Sequence, residues 1–487
     1  MRPITRREAL RLGMLGGFGV LVGGVGLSWS GLPWLAPRSS SIGGGGGSLV
    51  EPEVLRSWGG VLRVELVAAR QESTVAGRRA RVLTYNGTVP GQTWLVRPGD
   101  RIEVRLRNEL DIPTNLHTHG LEVSPQDNGD NPFLSIEPGQ VFDYRFDLPA
   151  DHPPGVFWYH PHRHGTVADQ LFGGLYGALI VEGDQVPVSR DRVLVVSDLS
   201  LTADGQVASV SGPEVMMGRE GELVLVNGQH RPQLSARPGQ RERWRVINAC
   251  TSRYLRLNLP GQRLELLGID SGREPAPREV TDVLLAPGNR ADLLVSMRAG
   301  TSELRNRGHD RGGMGMMGGR GLSGPGTLAT LTVSGDEAAA PGPVPDRPAV
   351  PDLREKPVAR QREIAFTMTM GSMMGPGRDM MDLGFDGRAF DADRIDQQVS
   401  AGTVEEWVIA NPTTMDHPFH LHVWPMQLIE SGGQPVNEPA RRDVVNVPAQ
   451  GQVRVLVDFA RHPGRSVYHC HILDHEDAGM MASVEAR

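Results

Sequence analysis

Three segments of the chain share one pattern of apolar and polar positions. RPGDRIEVRLRN ends at Asn108, RPGQRERWRVIN at Asn248 and SAGTVEEWVIAN at Asn411. In each, nine positions lead from a glycine (Gly99, Gly239, Gly402) to the closing Asn, with apolar and polar residues alternating between them. Alternation of period two behind a turn residue predicts a half-buried β-strand. A turn signal precedes each segment: Asn86-Gly87, Asn227-Gly228 and Asp386-Gly387. A second strand opener follows each: EPGQVFDYRF (137–146), APGNRADLLV (286–295) and, more loosely, AQGQVRVLVDF (449–459). The closing Asn residues stand 140 and 163 positions apart, so the repeating unit is a mostly-β domain of about that length.

Composition agrees with many short strands joined by turns. Gly (61) and Pro (37) are plentiful and helical stripes are few. A chain of 487 residues is too long for one ordinary core. The expected domains are 51–185, 186–345 and 362–487. Residues 346–361, most of them in the Pro-, Ala- and charge-rich GDEAAAPGPVPDRPAVPDLREKPVA (335–359), are expected to link the last two. With 39% hydrophobic residues and a net charge of −7, the chain reads as soluble and globular, and nothing in its charge calls for nucleic acid. A monomer is expected. The basic residues are almost all Arg, a bias of composition without functional content.

Residues 1–50 read as an export signal and linker. MRPITRREALRLG carries paired Arg6 and Arg7 ahead of a Gly-rich, weakly apolar stretch from Met14 to Leu35. This is the form of a twin-arginine signal and implies a periplasmic or extracellular protein, anchored in the membrane if the signal stays uncleaved. SSSIGGGGGS (39–48) reads as a flexible linker.

Histidine changes the picture. Ten of the fifteen His fall in four clusters, HTHG (His117, His119), WYHPHRHG (His160, His162), HPFHLH (His417, His420, His422) and HCHILDH (His469, His471, His475). All lie in the first and third units, so the site they build lies where two domains meet. Strand residues two apart point the same way, and each H-x-H pair presents two imidazoles to one place. Eight neutral imidazoles (117/119, 160/162, 420/422, 469/471) are too many for one metal and suit about three borderline ions, copper in an oxidising compartment.

Only two Cys are present. Cys250, in an apolar strand-like run, reads as a small buried hydrophobe. Cys470, between His469 and His471, must face away from both. His417 has the opposite parity to His420 and His422 and can face away with it. Cys470, His417 and His475, with Met480 as a weak distal ligand, make the ligand set of a blue copper electron-transfer site. Thiolate and imidazoles thus stand back to back on neighbouring residues.

At these motifs the chain resembles the multicopper oxidase family, three-domain bacterial laccases and cuprous oxidases. The resemblance runs from about residue 50 to the C-terminus. It implies three cupredoxin-like Greek-key domains of β-sandwich or barrel form, and four copper ions. A type 1 copper would sit at His417, Cys470, His475 and Met480, and a type 2 copper at His117 and His420. A type 3 pair would be held by His119, His160, His162, His422, His469 and His471. Every ligand position is filled, unlike relatives that have lost copper and act structurally. The implied chemistry is one-electron oxidation of a donor at the type 1 site and four-electron reduction of O2 to water at the other three ions. Glu476 matches the family's proton relay, and Asp127 or Asp130 in SPQDNGDNPF its partner.

Methionine points to the donor. Nine of the 18 Met lie in MGMM (314–317) and MTMGSMMGPGRDMM (368–381), among Gly and polar residues. Thioethers favour Cu(I). Met368, Met370, Met373, Met374 and Met415, the last two residues before His417, are therefore candidate docking groups for Cu(I) as substrate. Two alternatives remain: a laccase with a purely organic donor, phenolic or aromatic amine, and a copper-binding or electron-transfer protein without O2 chemistry.

Overall fold

Each of the three predicted turn dipeptides has both residues at positive φ: 51° and 85° at Asn86-Gly87, 51° and 74° at Asn227-Gly228, 51° and 74° at Asp386-Gly387. Two successive left-handed residues make the tight turn that suits the twist of paired strands. The polar side chain ties each turn to the strand that opens its unit. Val67, Val195 and Ala365 donate their backbone N–H to Oδ1 of Asn86, Asn227 and Asp386 at 2.8, 2.8 and 2.9 Å.

The repeated segments form the strands Arg101–Glu109, Arg241–Asn248 and Val404–Asn411. Each runs parallel to its unit's opening strand (Val61–Val75, Arg190–Leu199, Val358–Met370). Each runs antiparallel to the strand of the second opener (Val141–Asp147, Arg290–Ser296, Gly451–Asp458). The closing Asn is buried every time. Its Nδ2 donates to Ile112 and Ile136 carbonyls from Asn108, to Arg253 and Leu285 from Asn248, and to Met415 and Val447 from Asn411, all at 2.8–3.1 Å. The Asn thereby ties together carbonyls of two separate crossing segments.

The computed structural model describes residues 46–183, 185–313, 324–348, 350–370 and 381–487. The export signal and most of the linker expected over 1–50, the MGMM segment, Met373 and Met374 lie outside the described residues. Within them the fold is all-β: six sheets in three pairs, one pair per repeat unit. The first unit pairs a four-stranded sheet with a five-stranded one ending at the strand His117–His119. The second pairs a six-stranded with a five-stranded sheet, and the third a seven-stranded with a five-stranded one. Each pair encloses its own core, around Trp94, Trp244 and Trp407, all fully buried. A further core joins units: Trp158 and Leu171 of the first pack with Val195 and Ile247 of the second and Leu473 of the third.

Two boundaries differ in detail from the expectation. Gly47 and Ser48, read as linker, instead bond to Gln233 on the second unit: Gln233 N–H donates to the Gly47 carbonyl at 2.8 Å. The third unit opens at Val358, inside the stretch read as linker, and Leu353 is already buried against Val404 and Leu456. An exposed Gly- or Pro-rich composition marks weak helix and strand propensity, and tertiary contacts still seize such a segment. No helix among the described residues is long and apolar enough to cross a membrane.

Removing one carboxamide tests the Asn tie. Asn248→Ala leaves two buried carbonyls without their donor and is expected to destabilise the protein by about 2–4 kcal/mol. Denaturant unfolding of the metal-free protein measures this, and an unchanged midpoint would refute it.

Candidate metal centre

Two strand pairs carry the histidines to one place. In the first unit His117–His119 pairs antiparallel with Gly155–His160, His117 opposite His160. In the third, His417–Leu421 pairs with Gly464–Cys470, His420 opposite His469 and Phe419 opposite Cys470. Only His117 and His119 form an H-x-H pair wholly within a strand. His162, His422 and His471 lie just beyond strand ends, so strict strand parity, from which all four pairs were expected to converge, does not place them. The chain bends there, and the imidazoles still converge.

All eight imidazoles are buried. Nε2 of His162, His422 and His469 stand 3.1, 3.1 and 3.2 Å from one another, and Nε2 of His420 is 3.4 Å from Nε2 of His117. His119, His160 and His471 form a third group, with ring centroids 5.0–6.0 Å apart. Five Nδ1 atoms have acceptors outside the cluster. His117 meets both Asp130 oxygens at 2.9 Å, and His119 meets Asp443 Oδ2 at 2.9 Å. His160, His420 and His469 donate to the carbonyls of Pro161, Asp443 and Cys470 at 2.7, 2.7 and 3.0 Å. A proton fixed on Nδ1 leaves Nε2 a lone pair, the form that binds metal. Lone pairs at 3.1–3.4 Å repel, and Nε2 of His119, His160 and His471 has no hydrogen-bond partner. A shared cation satisfies all of these atoms at once, so the residues present fit a metal cluster.

Burial, reinforced by neighbouring imidazoles, holds these side chains neutral. It lowers His117, His119, His162, His420, His422 and His471 well below their ordinary range, His160 to about 3 and His469 to about 4. Neutral imidazole is the ligand form.

Cys470 lies on the other side of its strand. Its Sγ is 3.4 Å from His417 Nδ1 and 3.9 Å from His475 Nδ1, and the backbone N–H of Ile472 donates to it at 3.4 Å. Here Nε2 is the tied nitrogen: His417 to Thr413 Oγ1 at 2.9 Å, His475 to the Met216 carbonyl at 3.0 Å. Nδ1 is left facing the sulfur. Met480 is fully buried, and its carbonyl accepts the Cys470 N–H at 3.0 Å. Phe366 stacks on His417 with centroids 4.9 Å apart. Cys250, by contrast, is free and buried in the second core, as its apolar run predicts.

The acidic candidates separate. Asp130 is buried on His117 and also accepts from Thr118 N–H and Oγ1 at 3.3 Å. Burial pushes its carboxyl up to about 8. Asp127 is exposed in a turn at φ 51°, away from the histidines, and drops out of the site. Glu476 is buried with its oxygens 3.2 Å from His469 Nδ1 and 3.6 Å from His162 Nε2, neither making a hydrogen bond. Burial raises its carboxyl well above the ordinary range, which keeps it protonated.

The candidate methionines scatter. Met415 is buried in the third core and not on a surface loop. Met368 is half-buried against that core, and the Met370 side chain, like Met373 and Met374, lies outside the described residues. Of the remaining histidines, His164 sits beside Phe390 and not the cluster, and His309 bonds Asp416 at 2.9 Å.

Sequence reading missed Asp443, which touches both His119 and His420, and Arg290, whose Nη1 donates to Asp443 Oδ2 at 2.6 Å. A signal for Arg290 was present: it takes the place in the second strand opener that Val141 and Val453 hold in the other copies. Asp443, in RRDVVNV, had none.

Three family profiles described as multicopper oxidase match residues 67–186, 192–303 and 357–487. A solved multicopper oxidase from Campylobacter jejuni, described as a metallo-oxidase, superposes with a TM-score of 0.80 at 30% identity, covering 91% of this chain and 95% of that one. A multicopper oxidase of Staphylococcus aureus is 26% identical over 84% of this chain and 85% of its own length. A laccase of Bacillus subtilis is 26% identical over 83% and 90%. With two buried donor sets, one built on thiolate and one on imidazoles, and with matches spanning all three repeat units, the chain belongs to the multicopper oxidase family of copper-dependent oxidoreductases that use O2 as electron acceptor.

Proposed function

We propose that this oxidase holds four coppers and takes its electrons from Cu(I), with phenolic or aromatic amine donors also accepted, as an exported monomer. The single observation that carries the assignment of sites is the divergence at Cys470: its sulfur meets His417 and His475 while His469 meets His162 and His422. On this reading His417, Cys470, His475 and Met480 hold one copper, His117 and His420 a second, and His119, His160, His162, His422, His469 and His471 a pair. When bound, copper supplies one-electron transfer and the reduction of O2 to water.

The chain's own residues do the rest. Cys470 is covalently bonded to two residues of the imidazole cluster, which gives the shortest route between the sites that a polypeptide allows. Thr413 and the Met216 carbonyl hold the two imidazoles beside it in the Nδ1-facing form. Glu476 carries a proton at a carboxyl oxygen within 3.6 Å of His162 and His469, and Asp130 stands 2.9 Å from His117 Nδ1.

The Cu(I) donor draws on the Met-rich segments and on the Campylobacter relative's description as a metallo-oxidase. The strand Val358–Met370 also carries Phe366 against His417 and ends in Met368 and Met370. One observation favours an organic donor instead: Met415, 1% exposed, is a core side chain.

Copper-loaded protein is expected to contain about four Cu per chain and to absorb strongly near ~600 nm, and Cys470→Ser to lose that band. Parent protein without either signal would refute the site assignment. Replacing Met368, Met370, Met373 and Met374 with Ser is expected to lower O2 uptake with Cu(I) about tenfold or more, with phenol turnover retained. Equal loss on both donors, or none, sinks the Cu(I) reading. Chelating the copper is expected to lower the unfolding temperature, because metal binds only the folded site; calorimetry with and without chelator checks it.

A further inference from the structure

The middle unit contributes none of the proposed ligands, yet its turn Gly288-Asn289-Arg290 is wedged behind them. A Cβ at Gly288 would stand 2.7 Å from the His471 ring. Asn289 Nδ2 donates to the Val444 carbonyl at 3.1 Å and to both oxygens of Asp270 at 2.9–3.0 Å. Arg290, fully buried, reaches all three units. Its Nε donates to the Val156 carbonyl of the first at 2.9 Å, and its Nη1 to Gly288 of its own at 3.3 Å. The same Nη1 donates to Asp443 Oδ2 of the third at 2.6 Å.

Asp443 passes that constraint to two imidazoles. Oδ2 stands 2.9 Å from His119 Nδ1, and its backbone carbonyl accepts from His420 Nδ1 at 2.7 Å. Gly120, at φ 89°, leaves the room: a Cβ there would stand 2.4 Å from Arg290 Nη2 and 3.1 Å from Asp443 Oδ2. An unpaired carboxylate at this depth would be costly, and the guanidinium is anchored through Nε on the Val156 carbonyl and through Nη1, which also stands 3.2 Å from Asp270 Oδ1.

We propose that the Arg290–Asp443 ion pair is a positioning device through which the middle unit fixes the tautomer and orientation of His119 and His420, so that a unit without ligands sets the metal affinity of a cluster shared by the other two. Arg290 touches no reacting atom in this role; it acts through Asp443 and through its own contact with His119 Nδ1 at 3.5 Å. The inference rests on the reading that the eight histidines hold copper. Outer partners of this kind govern affinity because they fix which imidazole nitrogen carries the proton.

The test uses the full chain loaded from a copper buffer, with copper per chain, the thiolate–copper absorption band and the unfolding temperature of the metal-free form all measured. Arg290→Gln is expected to weaken copper binding at the histidine cluster about 10–100-fold with the thiolate band kept, while the metal-free unfolding temperature falls because Asp443 loses its partner. Arg290→Lys, which keeps the charge facing Asp443, should lose less, and equal loss in both variants counts against the ion pair. Asp443→Asn should follow Arg290→Gln, and it decides the matter if Arg290→Gln does not fold. Parent-like loading in the variants overturns the proposal, as does loss of the thiolate band in parallel with cluster copper, the mark of a merely structural role. A parent protein that binds no copper at its histidines is a different result and removes the underlying site reading.

Discussion

Three imidazole nitrogens from two distant parts of the chain face one another at 3.1–3.2 Å, with no proton available to make a hydrogen bond of each contact. Neutral lone pairs at that distance repel, and burial denies them water. Acceptors stand behind other rings of the cluster and behind His469: the carbonyls of Pro161, Asp443 and Cys470 behind His160, His420 and His469, and the Asp130 carboxylate behind His117. Everything else in the architecture serves this enforced convergence, which a cation relieves.

Three similar units bring this about by unequal contributions. The first and third supply edge strands with imidazoles, and the second supplies the buried turn that backs them. Arg290 replaces an apolar strand residue with a cation at a place where all three units meet. Neighbouring units are further locked by buried pairs, among them Arg219 of the second on Asp474 of the third at 2.6 Å. Placing the site between units lets each strand pair keep a complete core of its own, and polar groups collect only at the seam.

The two metal sites differ in which nitrogen is tied. At His117, His160, His420 and His469 of the cluster Nδ1 is bonded outward; around Cys470 Nε2 is bonded outward and Nδ1 faces the sulfur. The difference follows from reach: Nδ1 lies nearer the backbone, so His417 and His475 approach the thiol closely, while the cluster is entered by extended rings from several strands. One strand end, His469-Cys470-His471, serves both.

Much of this was legible in the residues. Alternation, turn dipeptides and the closing Asn foretold strands and a threefold repeat because each depends on local backbone geometry, which neighbouring residues dictate. The opposed facing of Cys470 and His469 was legible for the same reason. Other features were not local. The choice of Asp130 over Asp127 depends on which one the turn buries against His117. Burial of Met415 depends on the third core closing over it. Arg290 and Asp443, 153 positions apart, meet only because separate units dock. Sequence by itself determined which side chains could bind metal and on which face of a strand they begin. Tertiary structure decided which atoms share a site, which nitrogen keeps its proton and which charge is buried beside them, because those depend on distances between segments that the chain's local preferences never set.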